Sequence, residues 1–174
     1  MRLETRTDLA GLTASALFSD DGVYRYELIW RWGDSPTLLA WMLNPSTADH
    51  MVLDNTIKGL RSRALARGLG GIHVINIFAV RATYPKDIKT HPSPVGPHND
   101  EVIRRVLAEA RDKGVPIICG WGNHGLHRGR QEEAVAIAAD VGVDLHAYKV
   151  SAEGCPCHPL YLPHALEPRL WKAA

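Results

Sequence analysis

Across residues 24–32, tyrosine, leucine and tryptophan alternate with charged residues, the period of a strand that keeps one face wet. Gly33-Asp34-Ser35-Pro36 then supplies turn residues, so the pattern predicts a hairpin whose second arm is Thr37-Leu38-Leu39-Ala40-Trp41-Met42-Leu43. That arm is apolar on both faces, as a central strand covered by helices on each side would be. Asn44-Pro45 turns the chain away.

The period then changes to a helical one. Asp54 can cap a helix that carries Ile57, Leu60, Ala64 and Leu65 and stops at the glycines of residues 68–71. Residues 72–78 read as a second buried strand, and residues 81–97, rich in proline and polar groups, as an irregular excursion. Asn99 or Asp100 can cap a helix presenting Val102, Ile103, Val106, Leu107 and Ala110, ending near Gly114. A third buried strand over 115–119, a glycine-rich turn, an alanine-rich helix from about Arg130 to the Gly142 stop and a fourth strand over 143–148 complete the pattern. Alternating strands and helices predict an α/β fold with a mainly parallel sheet, helices on both faces and the early hairpin at one edge. One domain is expected over residues 20–171, preceded by a lead-in of residues 1–19.

Composition narrows the picture. The chain has 174 residues, 45% hydrophobic and 22% charged, which suits one folded core. Its longest apolar run, residues 37–43, is far below the ~20 residues of a membrane span, so no membrane partner is expected. Three cysteines, an odd number, argue against a disulfide framework and for the cytoplasm. The net charge of +1 gives no global attraction to polyanions, so any nucleic-acid contact must be local. The pattern does not indicate an oligomeric state.

In an open α/β sheet, ligands bind beyond the carboxyl ends of the strands. That rule selects residues 44–49, 76–83, 120–127 and 157–161, which are rich in Asn, Ser, Thr, His, Trp and Gly. Such groups bind through neutral hydrogen bonds, stacking and close backbone approach. Turn chemistry alone also places Asn, Pro and Gly after strands, but Asn76 is a sharper case. Between Ile75 and Ile77-Phe78, an unpaired amide would cost about 1–3 kcal/mol. A ligand is favoured over an internal backbone partner.

Cys155-Pro156-Cys157-His158 contains zinc-ligand types, but the cysteines are one residue apart and lack a second pair with zinc-finger spacing, so no metal is expected. No lysine-containing phosphate loop or dinucleotide fingerprint occurs, and no cofactor is expected. Lys58, Arg61, Arg63, Arg67, Arg104, Arg105, Arg128 and Arg130 are read as solvated helix charges, with phosphate contact as the alternative.

Through Leu43-Asn44-Pro45-Ser46-Thr47-Ala48-Asp49, Asp54-Asn55-Thr56-Ile57, Asn76-Ile77-Phe78-Ala79-Val80-Arg81-Ala82-Thr83 and His158-Pro159-Leu160-Tyr161-Leu162-Pro163, the chain resembles the bacterial domain of unknown function 1643 family. The order of these segments also resembles the uracil-DNA glycosylase superfamily. That resemblance implies a three-layer α/β/α sandwich with its site at the strand ends. It further implies that Asn44 of Asn44-Pro45 holds the attacking water, Asn76 reads the base edge and His158 of His158-Pro159 supports charge on the departing base. Trp121-Gly122 matches a Trp-Gly turn in the same order.

The chain departs from that group at Met42-Leu43, where a glycine is common, and at Leu160, where a serine follows His-Pro. It also has no assignable apolar wedge for opening a duplex. The resulting expectation is an N-glycosidic hydrolase acting on a nucleobase-containing ligand, with single-stranded or damaged DNA as the polymer. The alternative is a noncatalytic nucleotide or nucleic-acid binding module. Asn44, His158 and, as a reserve base, Asp49 are the expected catalytic residues. Pro45, Ser46, Thr47, Asn76, Phe78, Arg81, Trp121, Gly122, Pro159 and Tyr161 are the expected binding residues.

Overall fold

The computed structural model describes residues 1–9, 11–47 and 54–173. Its strands are β1 (Arg2–Thr7), β2 (Thr13–Phe18), β3 (Arg25–Arg31), β4 (Thr37–Met42), β5 (Gly71–Asn76), β6 (Ile117–Gly120), β7 (Leu145–Ala147) and β8 (Arg169–Trp171). Its α-helices are α1 (Asn55–Ala66), α2 (Pro85–Thr90), α3 (Asn99–Asp112) and α4 (Arg130–Val141). The strands form one sheet in the order β1-β2-β3-β5-β4-β6-β7-β8.

Strands β5, β4, β6 and β7 run parallel at the centre, while β1, β2 and β3 join one side antiparallel and β8 closes the other antiparallel. Four of the seven pairings are therefore antiparallel. The expected mainly parallel, uracil-DNA glycosylase-like three-layer sandwich is thus incorrect; the sheet is mixed. The cause is local. Strands β1, β2 and β3 form a meander whose β2–β3 turn is held by Asp21, which accepts hydrogen bonds from Ser19 Oγ and the Val23 N–H. Such short connections produce antiparallel neighbours, whereas parallel ones need a crossover.

The predicted pairing of residues 24–32 with 37–43 is also corrected, because β5 lies between β3 and β4. Glycines let it enter there. A Cβ on Gly70 would lie 2.5 Å from the Ser35 carbonyl oxygen, so only a residue without a side chain passes this close to the 32–36 connection. The Trp32 and Gly33 N–H groups both donate to the Gly70 carbonyl, and the Gly70 N–H donates to Pro36. The turn residues were read correctly as a change of direction, but their backbone groups bond an incoming strand.

Alternation along β4 separates the two cores. Leu38, Ala40 and Met42 join Ile72, Val74 and Ile118 beneath Ile57, Leu60 and Ala64 of α1. Leu39 and Trp41 join Ile75, Ile117 and Cys119 beneath Val102, Ile103, Val106 and Leu107 of α3 and Ala134, Ile137 and Ala138 of α4. Burial of each large aliphatic side chain contributes about 1.5–3 kcal/mol. Asp54 caps α1 as expected, accepting the Ile57 N–H at 2.9 Å. Asn99 instead follows His98 in the cap position of α3 and turns its side chain inward. Among the described residues, no helix is long and apolar enough to cross a membrane.

Candidate functional site

The parallel centre of the sheet brings the ends of β4, β5, β6 and β7 to one edge, where they border a cleft of about 710 Å³. Asn44, Pro45 and Ser46 enter from β4, Asn76 from β5, Trp121 and Gly122 from β6, and His158 and Tyr161 from the segment after β7. Asn44 and Tyr161, 117 positions apart in the chain, thus converge at one site.

Asn76 ends β5 with a relative exposure of 3%. Its backbone carbonyl accepts a 3.0 Å hydrogen bond from Asn99 Nδ2, which also donates to the Ile77 carbonyl at 3.1 Å. Arg130 Nε reaches the Ile77 carbonyl at 2.7 Å, while its guanidinium pairs with Asp100 and Glu133. The strand end is therefore braced from behind through its backbone. The Asn76 carboxamide itself makes no hydrogen bond among the described residues and lines the cleft.

Asn44 presents a different arrangement. Its Nδ2 donates to the Pro45 carbonyl at 2.9 Å and the Ala82 carbonyl at 2.8 Å, tying the β4 loop to the segment after β5. Both amide protons are committed, leaving Oδ1 to accept from water or a ligand. Ser46 Oγ donates to Asp54 Oδ2, whose other oxygen caps α1, so this wall carboxylate is engaged on both sides.

His158 is held by its loop. Nδ1 accepts the Leu160 N–H at 3.2 Å, which places the proton of a neutral ring on Nε2 and makes that nitrogen a donor. Burial lowers the His158 pKa below the usual histidine value, with Asp54 acting in the opposite direction, so the neutral form is favoured. The loop can approach because Gly120 has no side chain; a Cβ there would lie 2.6 Å from Pro159 Cδ. From the other side, Arg63 of α1 donates to the carbonyls of Pro159, Leu162, Pro163 and His164 and stacks over Tyr148. Tyr161 stands 82% exposed at the rim, its ring 5.7 Å from that of His158.

Several expected residues occupy other places. Trp121 borders the cleft but is 1% exposed, packed edge-on between Trp41 and Trp171, with Nε1 donating to Gln131. Phe78 is a core residue and does not border the cleft. Thr47 and Arg81 brace the loop: their hydroxyl and guanidinium reach Thr83 Oγ1 and the Thr47 carbonyl, each at 2.8 Å. Pro159 packs on Gly120 and is buried. Asp49 lies outside the described residues. Cys155 is buried and Cys157 borders the cleft, and among the described residues no group of three or more His, Cys, Asp or Glu is placed to hold a metal.

Sequence reasoning missed Arg25, the inward bracing role of Asn99, read there only as a cap, and the buried roles of Arg63 and Arg130. The two helix arginines, expected in solvent, are each 1% exposed. Arg25 begins β3, and because β3 runs antiparallel to β5, its amino end lies beside the carboxyl end of β5. A search restricted to carboxyl ends passes over it. The sequence carried no distinguishing signal, because Arg25 falls in the same alternation of charged and apolar residues as Glu27 and Arg31.

Fold and cleft define an α/β protein with a mixed sheet and a largely neutral site at the edge of its parallel strands. The chain belongs to the family described as Protein of unknown function (DUF1643), whose model matches residues 25–160, a span running from Arg25 past His158. No curated protein and no solved structure matches the chain.

Proposed function

We propose that the cleft binds a nucleobase-containing ligand and hydrolyses its N-glycosidic bond. The observation that carries this reading is Asn76, a residue only 3% exposed whose carboxamide lines the cleft and has no hydrogen-bond partner among the described residues. On the cleft wall it offers an adjacent donor and acceptor, which a ligand carrying the complementary pair can satisfy together. The edge of a nucleobase offers that pair.

The remaining groups suit the chemistry. As the C1′–N bond breaks, its electron pair passes to the base, where the neutral His158 Nε2–H can donate to the developing charge. Asn44 Oδ1 can hold the water whose oxygen bonds to C1′ and whose proton finally reaches the base nitrogen. Positioning matters more than deprotonation when the leaving group departs first. Tyr161 is the exposed ring available for stacking, in place of the buried Trp121 and Phe78.

A noncatalytic binding module is the second reading, and Asp54 is the observation that favours it. Its capping and Ser46 bonds leave it poorly placed as a general base. A base-release assay on single-stranded DNA, duplex DNA and free nucleosides, using normal and damaged bases, separates the readings. Free base from wild type but not from Asn44→Ala supports hydrolysis; binding without release supports the module.

A further inference from the structure

Among the described residues, Arg25 is the buried arginine whose guanidinium has no bonded partner. It is 5% exposed and borders the cleft, yet its guanidinium makes no hydrogen bond or ion pair among the described residues. The other two deeply buried arginines differ. Arg63 bonds four backbone carbonyls, and Arg130 bonds two carboxylates and a carbonyl. Arg25 has instead a neighbouring cation, Arg81, that disfavours its charge, and the favourable field of Asp54, whose oxygens are already engaged. Burial, aided by Arg81, lowers its pKa to about 10, so it stays charged at neutral pH.

A buried cation without a counter-charge is costly, and removing it from the fold would ordinarily be neutral or stabilising. Its position on the cleft wall gives it a use. A guanidinium presents paired N–H donors to a planar or tetrahedral oxyanion, and desolvation strengthens that bond. We propose that Arg25 seats a phosphate of the ligand, so that the cleft takes a nucleotide or a strand phosphate rather than a free base or nucleoside. The nucleotide identity rests on the nucleobase reading above; the anion seat stands on the placement of Arg25 itself.

Calorimetric titration of the full chain with deoxynucleosides, their 5′-monophosphates, single-stranded oligonucleotides and inorganic phosphate tests this, using wild type, Arg25→Gln and Arg25→Lys. A phosphate is expected to improve binding over the matching nucleoside by about 10- to 100-fold, an advantage lost in Arg25→Gln and reduced in Arg25→Lys. Free Arg25→Gln should unfold at the same or higher denaturant concentration than wild type. If Arg25→Gln does not fold, Arg25→Lys decides: a phosphate advantage smaller than that of wild type upholds the seat, and an unchanged one overturns it.

Arg25-dependent binding of oligonucleotides but not mononucleotides would support the seat with a strand phosphate as its source. Arg25-dependent binding of inorganic phosphate with no preference for any nucleotide would uphold the seat and overturn the nucleobase reading. Equal binding of nucleosides and monophosphates would overturn the seat and leave that reading standing. No binding of any probe would overturn both.

Discussion

Arg63 Nη2 donates to the Leu162 carbonyl at 2.8 Å, joining the last turn of α1 to the loop that carries His158. The same guanidinium reaches the carbonyls of Pro159, Pro163 and His164, so one buried side chain satisfies the polar backbone of a loop with little regular structure of its own. The loop's shape is thus set by a residue 95 positions earlier in the chain than His158.

Arg63→Met should therefore lower unfolding stability by about 3 kcal/mol, because it strips charged donors from several carbonyls at once. It should also weaken binding of any cleft ligand through displacement of His158. Urea unfolding followed by tryptophan fluorescence provides the check; a midpoint unchanged from wild type would contradict the bracing role.

A pH dependence follows from His158. Its pKa is lowered in the folded state, chiefly by burial, so as pH falls below about 6.5 the unfolded chain takes up a proton that the folded chain resists. Stability associated with this group is fully present above the unfolded value and is lost as pH falls toward the folded one. Protonation also puts a hydrogen on Nδ1, facing the Leu160 N–H that Nδ1 now accepts. His127, lowered by burial and by Arg128, acts in the same direction. The expected result is a loss of stability as pH falls below about 6.5 that is smaller in His158→Asn, whose Oδ1 can take the Leu160 bond without titrating. Equal pH profiles for the two proteins would remove His158 as the cause.

Much of this architecture was legible because local chemistry and packing agree. Asp54 caps α1, Gly142 ends α4 in a left-handed conformation, and the doubly apolar run of β4 lies at the centre of the sheet. The strand-end rule found Asn44, Asn76 and His158, which do border one cleft. Long-range pairing was not legible: the turn at residues 33–36 looks the same whether its strands pair or admit a third, and only Gly70's close approach to Ser35 decides. Polar residues that serve the site from behind were hidden for a similar reason. Arg63 and Arg130 sit on helices where arginine is ordinarily solvated, and their partners are backbone carbonyls or residues distant in sequence.

The direct test of the ligand-reading role is Asn76→Ala, measured for both binding and unfolding in the same preparation. With its backbone braced by Asn99 and its carboxamide unpartnered among the described residues, the truncation should leave unfolding stability within about 0.5 kcal/mol of wild type, while ligand binding or base release falls by about 1–3 kcal/mol. A drop in stability of that size with ligand binding unchanged would show that the carboxamide supports the fold, and would contradict the assignment of this cleft to nucleobase recognition.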